Sequence, residues 1–341
     1  MTRVGWSWRL LALLTALATV VVAWHWHDVV HPDWRIAHHA RNLLFSHRAL
    51  HVYADDVDAQ MGPLALVFSW LPRAAYLVLV ALSAGLVVLL GARCSGRRSP
   101  GVVGVLGAAA LVYPWAQLAW KGHADDALVA LGALGVVAAL RAGRRWWALG
   151  AFAVAAAAKP TALAVLPVLL ADRVLLVAGA AVLAAVYAPF ATVDLPAFLK
   201  AGRGVMHTAP GSLPDIIGAK RFHRPPRWIR PTEAVLGLAG STSGALRGRP
   251  VEGLLLAFTA RALVETNPAP AYSIPLVAWS LALGERRLRL LVLAAASFWL
   301  ADLDLDGGSG WPRLICLLLL GYVALRATLD PPATRRPARS G

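Results

Sequence analysis

Apolar runs recur from one end of the chain to the other, each closed by a short cluster of arginines, histidines or carboxylates. Leu, Ala and Val follow one another without the strict alternation that a barrel strand needs, so the runs predict membrane helices. Twelve membrane segments are expected, at about 8–24, 72–91, 101–118, 125–141, 146–158, 160–171, 174–190, 231–246, 251–265, 271–284, 288–302 and 311–327. Two of them, 146–158 and 160–171, are too short to cross a ~30 Å hydrocarbon core squarely. The break at Lys159-Pro160 between them predicts two half-depth or tilted helices, with Pro160 opening the second. Such a break is tolerated at membrane depth where it lines a wet cavity.

Composition agrees with this pattern. The 341 residues are 58% hydrophobic and only 15% charged, with a mean hydropathy of +0.61, against about a quarter charged in soluble domains. The expected fold class is an all-α, polytopic helical membrane protein with short or broken helices and an outer-face cavity. Residues 1–328 form its single membrane domain, and 329–341 a disordered cytoplasmic tail. The opening MTRVGWSWRLLALLTALATVVVAW ends in a poor cleavage site at Ala23 and reads as an uncleaved first helix. Cys94 and Cys316 give no disulfide framework.

Charge changes the picture in one respect. A net charge of +15 would fit a nucleic-acid binder, but the arginines sit in short clusters between apolar runs, as the positive-inside rule expects. Nucleic acid is therefore not an expected partner. Eighteen arginines fall in alternate turns and near the two ends of the chain, with only Asp172, Glu252, Glu285 and Asp330 beside them. Those turns, and both termini, are expected on the cytoplasmic side of the plasma membrane. All ten histidines and all four lysines then lie on the outer side, together with most of the acids. Function is expected on that outer face.

Five stretches there carry candidate chemistry. DWRIAHHARNLLF presents Ile36, Ala40, Leu43 and Leu44 on one helical face and reads as an interfacial helix. HVYADDVDAQMGPLALV packs Asp55, Asp56 and Asp58 just before the chain re-enters the bilayer. These carboxylates either mark a solvated turn or act on a substrate, one of them as general base toward an acceptor hydroxyl. AWKGHADDALVALG sets Lys121, His123, Asp125 and Asp126 at a helix start, where the acids can cap the helix while Lys121 and His123 hold a phosphate. In AAAAKPTALAVLP, Lys159 either snorkels to the interface or marks a site, with a carboxylate or a ligand phosphate as its partner. TARALVETNPAPAYSIPL contributes Arg261, Glu265, Asn267 and Tyr272; Arg261 can pair with Glu265 on one helix face or bind phosphate through its fork. The outer stretch 191–230 reads as a surface loop or a lid. No metal site is expected: the histidines lack zinc spacing and DLDLDGGSGW lacks a calcium loop's final Glu.

YADDVDAQMGPLAL, GHADDAL, AAAAKPTALAVLP and the late R-x₃-E-T-N-P-x₃-Y segment together resemble integral-membrane glycosyltransferases of the GT-C superfamily, family 87, of the actinobacterial mannosyltransferase type. The resemblance implies a polyprenyl-phosphate sugar as donor, a glycolipid or cell-envelope glycan as acceptor, and a catalytic carboxylate in the first outer loop. That role maps onto Asp55, with Asp56 and Asp58 as rivals. No cofactor is implied; by their charge and expected side, Lys121, Lys159 and Arg261, with His123, are the candidates to hold the donor phosphate. The competing readings are a transporter or flippase of lipid-linked sugars and a non-catalytic scaffold for envelope assembly.

Overall fold

A computed structural model describes residues 4–56, 59–203, 213–218, 228–264, 274–283, 292 and 311–329. The described residues are helical and contain no strand. In chain order the longer helices are α1 (Trp6–Trp24), α2 (Pro32–Leu44), α5 (Arg73–Ser95), α6 (Gly101–Lys121), α7 (Ala124–Arg141), α8 (Arg145–Ala158), α9 (Arg173–Val193), α12 (Ile229–Leu246), α13 (Pro250–Val264) and α15 (Trp311–Leu329). Shorter pieces are α3 (Val52–Asp55), α4 (Pro63–Phe68), α10 (Leu195–Arg203), α11 (Leu213–Ile216) and α14 (Ile274–Ala282). Among the described residues, α1, α5, α6 and α9 are long and apolar enough to cross a membrane. The expected segment 288–302 lies outside the described residues apart from Val292.

The break at Lys159-Pro160 is present. α8 stops at Ala158, Lys159 is extended (φ −160°, ψ 139°), and Pro160–Ala171 continues as a 3₁₀ helix rather than an α-helix. The tighter winding lengthens the segment: twelve residues at about 2 Å each span about 24 Å, against about 18 Å in an α-helix. Pro167 lies inside this stretch, where its missing N–H already removes one α-helical hydrogen bond.

α1 packs along α5 and α6, α7 lies against α8, and α12 crosses α13. At the last crossing Gly240, Gly244 and Gly253 let the two backbones touch: a Cβ on Gly244 would lie 2.4 Å from Gly253 Cα. The arginine-rich turns gather at one end of the bundle. There Trp8 Nε1 donates to the Arg97 carbonyl (3.1 Å), Arg145 lies 3.9 Å from Asp172, and the Arg249 guanidinium donates to the Ala327 carbonyl.

The segment between α1 and α5 covers the opposite end. Trp120 Nε1 donates to the Val29 carbonyl (2.8 Å), and Arg41 donates to the Ser69 carbonyl (3.2 Å). α2 buries Trp34, Ala37 and Ala40 while Ile36, Leu43 and Leu44 are half-buried, so its apolar stripe is rotated from the expected one. The reason is Trp34, whose ring meets Tyr76 of α5 edge-on at 4.6 Å and pulls that face inward. A second, smaller core forms beneath α2 and α3, where Tyr53 packs on Phe190 (5.1 Å) and Phe198 (5.6 Å).

Candidate functional site

Two features of the covered end build a site. The first is a charged network at the start of α7. Gly122 ends α6 with φ +93°, the left-handed conformation that glycine adopts without penalty, and Trp34 packs directly upon it. The chain then turns sharply, and the Tyr76 hydroxyl accepts the Ala124 N–H (2.7 Å), satisfying one open donor of α7. Asp125 and Asp126 follow in the first turn, favoured there by the helix dipole.

Lys159 reaches these acids from the break after α8. Its Nζ lies 2.7 Å from Asp125 Oδ2 and 2.9 Å from Asp126 Oδ1. Lys159 and Asp125 are both buried. His123 extends the network outward, with Nδ1 3.4 Å from Asp125 Oδ1 and Nε2 3.0 Å from Asp33 Oδ2. Asp33 belongs to the first turn of α2, where the His31 imidazole caps the helix by accepting the Asp33 N–H (3.2 Å). Burial by itself would lower the His123 pKa, but the carboxylates of Asp125 and Asp33 outweigh it and raise it to about 9. Burial would raise Asp33, yet its bond to His123 and the neighbouring His31 ring hold it well below the usual carboxylate range.

Second, a cavity of about 230 Å³ opens beside Lys159. Its polar lining is made by Gln60, Lys159, Thr161, Arg230, Glu233 and Arg261. Apolar lining comes from Leu163 and Ala164 of the 3₁₀ segment and Ala257 and Phe258 of α13. Arg230 and Glu233 stand one turn apart at the start of α12 and form an ion pair of 2.6 Å. A phosphate there would meet cations, and a hydrocarbon tail would meet apolar side chains.

The cover is fastened to the broken helix at one point. Gly62 donates its N–H to the Ala158 carbonyl (2.6 Å), one of those left open where α8 stops. The Tyr187 hydroxyl donates to the neighbouring Ala156 carbonyl (2.7 Å). A Cβ at position 62 would lie 2.3 Å from the Ala157 carbonyl oxygen, so only glycine permits this approach.

The expected residues are distributed as follows. Lys159 and Arg261 line the cavity together; Asp125 and Asp126 stand behind Lys159 as its counter-charges, with His123 beyond them. Lys121, at the end of α6, is not part of the cavity wall. Asp55 is held by Arg48 (2.6 Å), and Asp56 is buried; neither lines the cavity, whereas Gln60 does. Asp58, Glu265, Asn267 and Tyr272 lie outside the described residues, as does most of DLDLDGGSGW. The sequence reading missed Asp33, Gln60, Thr161, Arg230 and Glu233 as site residues. The i, i+3 spacing in IRPTE was the one available signal for the Arg230–Glu233 pair.

His123, Asp125 and Asp126 offer donor atoms all within 4.8 Å of one another, a spacing that one metal ion could use. The Lys159 ammonium, bonded to both carboxylates, supplies the positive charge there instead. No family model, curated protein or solved structure matches the chain.

Proposed function

We propose that the protein is a membrane glycosyltransferase that moves a sugar, mannose in the first instance, from a polyprenyl-phosphate carrier to a glycolipid or glycan acceptor. The observation that supports this most is the mixed lining of the cavity, where Lys159, Arg230 and Arg261 stand among apolar side chains. A lipid phosphate combines the same two kinds of surface, and its tail need not leave the bilayer to reach the site. The arginine-rich end faces the cytoplasm by the positive-inside rule, with both termini there, so the cavity faces outward across the plasma membrane.

In this reading the acceptor oxygen attacks the anomeric carbon as a carboxylate of the segment Asp55, Asp56 and Asp58 takes its proton. The bond from the anomeric carbon to the phosphate oxygen breaks, and its electron pair leaves with the phosphate. Arg261 and Lys159 stabilise the charge that develops there. In-line attack inverts the anomeric centre.

The broken helix and buried ammonium also fit a flippase. Against it, Asp125 and Asp126 sit in the first turn of α7, at the end of the bundle rather than midway along it. Purified protein in lipid nanodiscs, given labelled polyprenyl-phosphate mannose and membrane glycolipid acceptors, is expected to transfer the label, and Arg261→Gln to lose most of that transfer. Glycolipid profiling of a strain lacking the protein is expected to show a missing product and an accumulated precursor. Movement of the labelled lipid between leaflets without transfer would establish the flippase instead.

A further inference from the structure

A cavity that only gripped a lipid phosphate would have no use for a carboxylate in its wall. Glu233 is nevertheless there, 7% exposed, beside three cations and the Gln60 amide. Its carboxylate accepts hydrogen bonds and donates none, and the Arg230 guanidinium bonded to it donates and accepts none. Such a pair complements a group that both donates and accepts through neighbouring hydroxyls, which a sugar does and an ionised phosphate does not. Charge sharpens the distinction. A sugar-loaded carrier is a phosphodiester with one negative charge, whereas the spent carrier is a monoester with a charge of about −1.5 to −2 at neutral pH. A fixed carboxylate repels the second more than the first.

We infer that the Arg230–Glu233 pair binds the sugar of the loaded carrier and disfavours the spent carrier, so that the same wall selects donor and promotes product release. This rests on the lipid-phosphate reading of the cavity. Arg230 and Glu233 leave Lys159 and Arg261 to hold the phosphate, and the two tasks are separable because they lie on different elements, α12 against α13 and the Lys159 break.

The test measures binding of two short-chain lipids to the full chain in nanodiscs, polyprenyl-phosphate mannose and bare polyprenyl phosphate. Wild type is expected to prefer a sugar-loaded lipid over the bare one. Glu233→Gln is expected to shift that ratio toward the bare lipid by about tenfold, the size of one charged hydrogen bond. Because Glu233→Gln leaves a buried guanidinium without its carboxylate, the double variant Arg230→Gln/Glu233→Gln is measured alongside it. The double variant keeps the summed charge and removes the pair, and it too is expected to lose the preference. Arg261→Gln should weaken the loaded and bare lipids alike. An unchanged ratio in both variants, with binding intact, overturns the inference and leaves the transferase reading standing. Wild type that binds neither lipid overturns both.

Discussion

Lys159 Nζ stands 2.7 Å from Asp125 Oδ2, and the two charges are buried together where α8 breaks. Each ion costs several kcal/mol to take out of water, and their attraction offsets this only while both are present. Removing one partner of such a pair costs about 3–5 kcal/mol. Asp125→Asn is therefore expected to lower the thermal stability of the detergent-solubilised protein strongly. Asp126→Asn should cost much less, because its side chain is 18% exposed and Asp125 still holds the ammonium. The double variant Asp125→Asn/Lys159→Gln should recover part of the loss. Equal melting temperatures for the two single variants would contradict the pairing.

Gly62→Ala tests the fastening of the cover. The added methyl meets three backbone atoms of Ala157 and Ala158 at 2.3–2.8 Å, and backbone cannot swing aside as a side-chain tip can. Either the Gly62–Ala158 hydrogen bond opens or the break after α8 shifts. The expected cost is about 1–3 kcal/mol of stability, typical of overpacking, together with loss of sugar transfer as Gln60 moves from the cavity wall. Unfolding and transfer assays on the same preparation check both.

The bundle was legible because apolar runs and their closing arginines report directly on membrane helices. The break at Lys159-Pro160 was legible from a single dipeptide. The 3₁₀ winding of Pro160–Ala171 was not, since the apolar content of a run says nothing of its hydrogen-bond period. Lys159, Asp125 and Asp126 were each visible as ionisable groups in an apolar chain. Their mutual contact was not, because it spans 33 residues and depends on how α7 meets α8. The polar lining contributed by α12 was invisible for the same reason: Arg230 and Glu233 look like an ordinary pair on a helix surface until α12 packs on the 3₁₀ segment.

The Asp33–His123 contact gives stability a defined pH dependence. His123 has its pKa raised from 6.5 to about 9 in the folded protein, so its contribution is complete below pH 6.5 and is lost as pH rises toward 9. Asp33 is shifted the other way, and its contribution is present above its ordinary value of 3.8 and lost as pH falls beneath it. His31 faces Asp33, and Asp125 and Asp126 face His123. Melting temperature is expected to fall between pH 6.5 and 9, and His123→Gln to be less stable at pH 6 yet nearly flat over that range. A wild-type profile without that slope would show that His123 is not charged in the folded state.

In the proposed mechanism the acidic segment takes the proton of the acceptor. Asp55 is engaged by the Arg48 guanidinium at 2.6 Å, and neither Asp55 nor buried Asp56 lines the cavity, while Gln60 does. Asp55→Asn alone should free Arg48 and loosen the turn, yet retain measurable transfer. Replacing Asp55, Asp56 and Asp58 together by Asn removes every candidate base in the segment. It should lower the transfer rate by about 10²–10⁴-fold, the usual contribution of a positioned base. Binding of bare polyprenyl phosphate should persist, because Lys159 and Arg261 are untouched. If Asp55→Asn alone abolishes transfer while folding and lipid binding persist, Asp55 is the base and its contact with Arg48 must open during turnover. If the triple variant still transfers sugar, the proton leaves by another route and the segment serves only to seat Gly62 on the broken helix.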